Sequence, residues 1–476
     1  MKILDVFGLI LVFVCVLYIG YRSTKKINST EDFLLAGRKL GKIQAGFSVA
    51  ASDFGGSSIV GAIAFCYTMG ISGAWWDWCT VPAYIILGLF FAKKLQPLAL
   101  NTGPEYLERR YDSKTRLLGS SLHIFMLIPM LGAQFAVSST ALTAIFGIPQ
   151  EIGLLISVVI VLIYTVGGGL VAVVNTDVFQ YVIIIASLII AIPLGIMKVG
   201  GLQELIASAP TNYFDFDAIG WSTILSWMLL CFTLYTTNQM HLQRLFASKD
   251  ESTAKFSYIF AGGSYIFLGC AVGIIALIIT NLYPGLEDPN AGYSLFIKGV
   301  LPTGIMGIAL GGLFAATMST VDSMLLAVTT IFINDIYKPY IVNNKKEDEK
   351  RTLSTSRWFT IIICVSGVVI SLFMQSIIDM IFVAGLFYAT TIFIPLVLGI
   401  FWKRGTARGA FISIICALAV SIFSQFYLQV HYTDGILALP ANILGIITSA
   451  TVYVVVSLLT PKQSEENLEL MDQKMA

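Results

Sequence analysis

The chain has 476 residues, of which 57% are hydrophobic and only 12% charged, about half the charged share of an ordinary soluble domain. With a mean hydropathy of +0.82 it reads as an integral membrane protein. Lys and Arg number 29 against 28 Asp and Glu, so there is no basic field to hold nucleic acid.

A helix needs roughly 20 mostly apolar residues to cross the hydrocarbon core. In chain order, thirteen stretches qualify: 4–22, 44–71, 74–92, 117–146, 151–168, 171–197, 220–243, 256–281, 299–334, 356–374, 377–402, 409–429 and 437–459. The expected fold is therefore an all-α membrane protein with about 13 transmembrane helices. The first stretch has no basic leader beyond Lys2 and no small-residue cleavage site before Tyr21 and Arg22, so it reads as a spanning helix rather than a signal peptide. Residues 1–460 read as one transmembrane domain, and 461–476 as a short polar tail.

Cytoplasmic loops retain positive charge, and 26 of the 29 Lys and Arg lie in six groups. These are Arg22–Lys42, Lys93–Arg116, Arg244–Lys255, Lys338–Arg357, Lys403–Arg408 and the tail. They fall on alternate connections, leaving Lys2, Lys198 and Lys298 on the other side. The expected orientation puts the N-terminus outside and the C-terminus inside the cytoplasmic membrane. The turn near Gly167–Gly169 carries no positive charge and takes its side from alternation alone.

The second stretch carries Asp53, Gly55, Gly56, Ser57 and Ser58 at its middle. A carboxylate at mid-membrane is costly unless it faces a partner or a watery cavity, and paired glycines allow the helix to break and free its carbonyls. A packing kink around a satisfied aspartate is the alternative. Trp75, Trp76 and Trp78, beside Asp77, open the third stretch as an outer aromatic belt or the wall of an outer vestibule. At the turn between the fifth and sixth, "YTVGGGLVAVVNTDVFQ" brings Asp177 into the membrane, with Tyr164, Asn175, Thr176 and Gln180 near enough in sequence to satisfy it.

The seventh stretch gathers Thr236, Thr237, Asn238, Gln239, His241 and Gln243, suited to a cavity or inner gate. In the ninth, Ala316, Ser319, Thr320 and Ser323 share one helical face, with Asp322 beside them. Hydroxyl and carbonyl oxygens suit a hard cation such as Na⁺. Interhelical hydrogen bonding explains such hydroxyls equally when they are taken alone.

The seven cysteines lie in apolar stretches without metal-binding spacing and read as buried thiols. Only three histidines occur, His123, His241 and His431. The sequence has no GK[ST] phosphate loop, HExxH or GxSxG. It reads as a non-enzyme, and any driven transport must draw on an ion gradient.

Taken together, "EDFLLAGRKLG", "ASDFGGSS", "YTVGGGLVAVVNTDVFQ" and "AATMSTVDSMLLAVTTIFINDIY" resemble the sodium:solute symporter family, which includes proline permease, pantothenate permease and the sodium–glucose cotransporters. The resemblance spans nearly the whole chain. It implies a leucine-transporter-type inverted-repeat fold, with repeats at about 44–198 and 220–402. It also implies a sodium site built from backbone oxygens of Ala51, Phe54 and Ala316 and the hydroxyls of Ser319 and Thr320. Asp53 matches an aspartate important for sodium coupling. Asp177, Ser319 and Ser323 match a second sodium site found in some relatives, with the part of Asp322 left open. The aromatic pocket pair of proline permease is replaced by Met130 and Phe232, which argues against proline. Gln134, Ser138, Thr233 and Gln239 remain as candidate polar groups of the solute pocket.

The expected function is sodium-coupled import of a small organic solute, an amino acid, carboxylate or vitamin-like molecule, by alternating access. A transporter-like sensor with a separate partner and a sodium-independent uniporter are the competing readings. Na⁺, the solute and the bilayer are the expected partners, with no obligate protein partner.

Overall fold

A computed structural model describes residues 2–342, 348–373, 377–431 and 439–462. Among these residues the chain is helical throughout, and its one β-feature is an isolated bridge between Leu40 and Ser248. Among the described residues nine helices are long and apolar enough to cross a membrane, and Tyr388–Phe401 is a shorter apolar one.

Helix α1 is Ile3–Thr24 and α2 is Lys42–Asp53. Beyond a break, α3 covers Ala62–Met69 and α4 Thr80–Ile86. Short α5, Gly103–Arg110, leads into α6, Ser113–Phe146. Next come α7, Gln150–Val199, α8, Trp221–Thr237, and α9, Gln239–Ala247. Then follow α10, Glu251–Leu282, α11, Gly292–Val300, and α12, Ile305–Ile331. The chain ends in α13, Glu349–Phe373, α14, Ile377–Phe401, α15, Ala407–Phe423, and α16, Ala441–Leu459. Polar caps set several starts: Thr102 accepts from Glu105 N at 3.0 Å, Asp112 from Thr115 N at 2.8 Å and Asp250 from Thr253 N at 2.7 Å. Each occupies one of the backbone donors a helix start leaves open.

A straight α7 of 50 residues would be about 75 Å long, but it folds back at Gly169, where φ is 49°. A side chain there would collide with the Phe33 carbonyl and ring, so only glycine suits the turn. One turn of α1 touches both limbs: Gly20 packs on Tyr164, and Ser23 accepts from Asn175 Nδ2 at 3.0 Å. The fifth and sixth apolar stretches thus form a helical hairpin without a loop.

Two expected boundaries are corrected. The stretch expected at 299–334 splits at Pro302: α11 ends first, and α12 begins only after Gly304, whose φ is 92° and whose N–H donates to Asp5 Oδ1 at 2.7 Å. The stretch expected at 220–243 breaks at Asn238, in extended conformation at φ −70°, ψ 125°. The Asn238 side chain caps the next helix by accepting from Met240 N at 3.0 Å.

Nearly all of α12 is buried; it packs against α1, α2, α6, α7, α9 and α13. At one end of the bundle Lys198 Nζ donates to Gly299 O at 2.9 Å, next to Lys298, and Asp5 near the start of α1 holds Gly304. At the other, Arg38 reaches Leu100 O and Phe246 O, Arg116 pairs with Asp335 at 2.6 Å, and Arg110 reaches Gly399 O at 3.0 Å. Arg357 donates to Gly167 O at 3.4 Å. The charge-free turn therefore joins the arginine-rich end that alternation assigns it.

Candidate functional site

Helix α2 ends because its hydrogen bonding changes register. Phe54 N still reaches Ala50 O at 3.1 Å, but Gly55 N turns to Asp53 O at 2.7 Å and never reaches Ala51 O. The freed Ala51 carbonyl accepts from Ser319 Oγ of α12 at 2.8 Å. Ser319 Oγ also lies 3.0 Å from Ala316 O, and Thr320 Oγ1 lies 3.1 Å from the same carbonyl. Two carbonyls and two hydroxyls so converge, all buried. They are neutral oxygens, a donor set for a weakly held hard cation.

Gly55 keeps the neighbouring space open. A Cβ there would lie 3.0 Å from Thr320 Oγ1 and 3.1 Å from Gln134 Oε1. Gln134 Oε1 is buried with no hydrogen-bond partner. The structure thus joins Ala51, Ala316, Ser319, Thr320 and Gln134 in one locus. Phe54 sits at the break with φ −71°, ψ 48°, and its ring stacks edge-on against Tyr265 at 4.8 Å.

A second buried cluster lies beside this locus. Asp177 Oδ2 accepts from Ser48 Oγ at 2.5 Å, Ser52 Oγ at 3.4 Å and the Arg244 guanidinium at 3.5 Å. Arg244 also donates to Ser323 Oγ at 2.5 Å, to Ser48 Oγ at 3.2 Å and to Met240 O at 3.1 Å. Ser323 Oγ stands 2.8 Å from Ser52 Oγ, and Asp322 takes the Tyr164 hydroxyl at 2.6 Å. Arg244, counted among the loop charges, is instead wholly buried. The sequence neighbours of Asp177 do not satisfy it: Asn175 bonds Gln44 and Ser23, and Thr176 bonds its own helix.

Asp53 faces away from the sodium-type oxygens. Its Oδ2 accepts from Tyr84 Oη at 2.9 Å, and Tyr235 and Tyr265 stand beside it. Tyr84 packs on Tyr235 at 4.8 Å and on Tyr265 at 5.9 Å. Asp77 lies behind them, buried, and so differs from the flanking tryptophans expected at an interface. Trp75 and Trp78 pack on Phe216 at 5.0 and 5.2 Å and Trp76 on Trp227 at 5.5 Å, which makes them a roof over this region.

The remaining candidates divide. Ser138 is buried one helical turn beyond Gln134, and Met130 is buried one turn before it. Phe232 meets Phe393 edge-on at 5.4 Å. Thr233 Oγ1 is committed to Leu230 O of its own helix at 2.8 Å. The Gln239 amide clasps the chain at the start of α5, accepting from Gly103 N at 2.9 Å and donating to Asn101 O at 3.0 Å. Sequence reasoning missed Arg244, Asp77 and the tyrosines Tyr84, Tyr235 and Tyr265. Arg244 looked like an inner-loop charge, and tyrosines in apolar helices carry no spacing signal.

Interrupted helices opposed in a buried bundle, with freed carbonyls and hydroxyls at the break, define an ion-coupled membrane carrier. Residues 33–417 match the sodium:solute symporter family, and the chain belongs to that family, whose members are transporters rather than enzymes. It is 27% identical to the sodium/glucose cotransporter of Vibrio parahaemolyticus over 86% of this chain and 82% of the relative. It is 26% identical to the osmoregulated proline transporter of Bacillus subtilis over 99% and 98%. A Na⁺-coupled sialic acid symporter in a substrate-bound outward-open state has the same fold, with a TM-score of 0.86, 19% identity and coverage of 97% and 99%.

Proposed function

We propose that this protein is a sodium-driven importer of a small organic solute, working by alternating access. The observation that carries the reading is the convergence of Ala51 O, Ala316 O, Ser319 Oγ and Thr320 Oγ1 where α2 breaks. Sodium binds there, with the Phe54 carbonyl as a further ligand, and the solute occupies the space beside Gly55 lined by Gln134 and Ser138. Thirteen crossings, an outside N-terminus and inverted repeats over about 44–198 and 220–402 complete the architecture. They are supported by the charge alternation and by the paired breaks in α2 and at Asn238. A charge crossing 100 mV supplies about 2.3 kcal/mol, and a tenfold gradient about 1.4 kcal/mol, so one sodium sustains roughly several-hundred-fold accumulation.

The Asp177–Ser323 pocket is where a second sodium is expected by resemblance. Arg244 already supplies a positive charge there, and one sodium per cycle is the stoichiometry we favour. The test is sodium-dependent uptake of a labelled metabolite panel in vesicles. Thr320→Ala deletes one neutral ligand, worth about 1–2 kcal/mol, and should weaken apparent sodium affinity about five- to thirtyfold. Thr320→Ser should be mild. An unchanged sodium titration in Thr320→Ala rejects the site, and uptake indifferent to sodium rejects the symporter reading in favour of a uniporter.

A further inference from the structure

Of the carboxylates buried in the bundle, Asp177 has Arg244 and Asp335 has Arg116 at 2.6 Å. Asp322 has the Tyr164 hydroxyl at 2.6 Å, with Ser323 at 3.3 Å. Asp77 differs: it is 1% exposed, and neither of its carboxylate oxygens has a hydrogen-bond partner. Ser58 stands next to it, yet the Ser58 hydroxyl is directed to Asp53 O at 3.3 Å and Tyr265 Oη at 3.5 Å. Asp53 and Asp77 both face Tyr265, whose hydroxyl meets Ser58 at 3.5 Å. Unlike Asp77, Asp53 is only partly buried, so space opens at its side of the pair.

The other groups facing the two carboxyls are Tyr84, Tyr235, Tyr265, Cys66, Cys79 and Cys231. Among the described residues no lysine, arginine or histidine bonds either carboxylate, and the nearby guanidinium of Arg244 is committed to Asp177, Ser48 and Ser323. Two adjacent carboxylates inside a membrane protein without a counter-charge are strongly unfavourable. Such an arrangement is retained where something brings the missing charge.

We propose that Asp53 and Asp77, walled by Tyr84, Tyr235 and Tyr265, receive the positively charged nitrogen of the transported solute. This rests on the symporter reading and names its substrate class: an amine, amino acid or quaternary ammonium compound rather than a neutral polyol or a simple anion. The geometry suits that chemistry in two ways. Carboxylates accept charge-assisted hydrogen bonds from N–H groups, and tyrosine faces attract a cation lacking N–H groups through their ring quadrupoles. A neutral polyol would also find acceptors here, but it would bring them no positive charge. Sodium is served by the neutral oxygens on the other side of the α2 break, so the driving ion and the solute charge have separate places.

The test is thermal unfolding of the purified full chain, in sodium and in potassium buffer, against three sets of probes. One set holds amines, amino acids and quaternary ammonium compounds such as choline; the second holds sugars and polyols, including 3,3-dimethylbutanol as the neutral twin of choline; the third holds monocarboxylates. Stabilisation should be confined to members of the first set. In Asp77→Asn, which keeps the shape and removes the charge, the binding constant of the stabilising probe should weaken about ten- to hundredfold, the loss of a charge-assisted contact. The same variant without solute should unfold no lower than the parent, because neither Asp77 oxygen has a partner to lose. Its sodium-only shift should be unchanged. Stabilisation only by neutral or anionic probes, by no probe of the first set, or at equal strength in Asp77→Asn overturns the proposal. Loss of any sodium-specific shift in the parent protein would instead strike the symporter reading.

Discussion

Two acidic clusters sit on either side of the interrupted second helix, and they are built on opposite rules. Around Asp177 and Asp322, partners come from four helices, Arg244 from α9, Ser48 and Ser52 from α2, Ser323 from α12 and Tyr164 from α7, and only Asp177 Oδ1 among the carboxylate oxygens there is without one. Around Asp53 and Asp77 the Tyr84 hydroxyl is the one side-chain partner, given to Asp53, and among the described residues no cation bonds either carboxylate. The first arrangement fixes how four helices pack. The second leaves both oxygens of Asp77 without a partner. A buried ion pair is costly to break from one side, whereas an uncompensated carboxylate is costly to leave alone; this asymmetry separates a structural centre from one that awaits a ligand.

The largest effect should come from Arg244→Leu. It strands Asp177 and should destabilise the protein by about 3–5 kcal/mol, read as a lower unfolding temperature or loss of assembled protein. Adding Asp177→Asn should recover much of the loss, and normal stability of Arg244→Leu alone would break the contrast. Next, Asp53→Asn should leave stability nearly intact while reducing uptake about ten- to hundredfold, the worth of a charge-assisted contact. If its stability fell as far as that of Arg244→Leu, Asp53 would belong with the structural centre. Tyr84→Phe removes one hydrogen bond to Asp53 and should cost about 1 kcal/mol, or roughly fivefold in uptake affinity, measured by solute titration at fixed sodium. The smallest change is expected for Thr233→Ala, whose hydroxyl serves its own helix. It should stay within about 0.5–1 kcal/mol in stability with uptake kinetics unchanged, and altered solute selectivity would return Thr233 to the pocket.

The sequence by itself determined the helical membrane class, because apolar runs of spanning length have few other stable forms when backbone groups must be satisfied internally. It also marked the break at Asp53–Gly56 and the hydroxyl face of Ser319 and Thr320, since glycines that release a helix and oxygens spaced by three and four residues are local patterns. Which oxygens meet was decided only in three dimensions. Ala51 O reaches Ser319 across 268 positions of chain, and no local periodicity encodes such a pairing. Arg244 is the clearest case. Its place in a basic group between two apolar stretches reads as a solvated loop charge, yet the break at Asn238 starts a new helix that carries it into the core beside Asp177. Asp77 shows the reverse: tryptophans on both sides suggest an interface, but the packing of α4, α8 and α10 around Tyr84, Tyr235 and Tyr265 encloses it. Burial of a charge depends on every neighbour that displaces water from it, and those neighbours come from distant parts of the chain. Sequence therefore specified which segments are helices and where they are weak, while tertiary packing decided which charges are neutralised by the protein and which are left for a ligand.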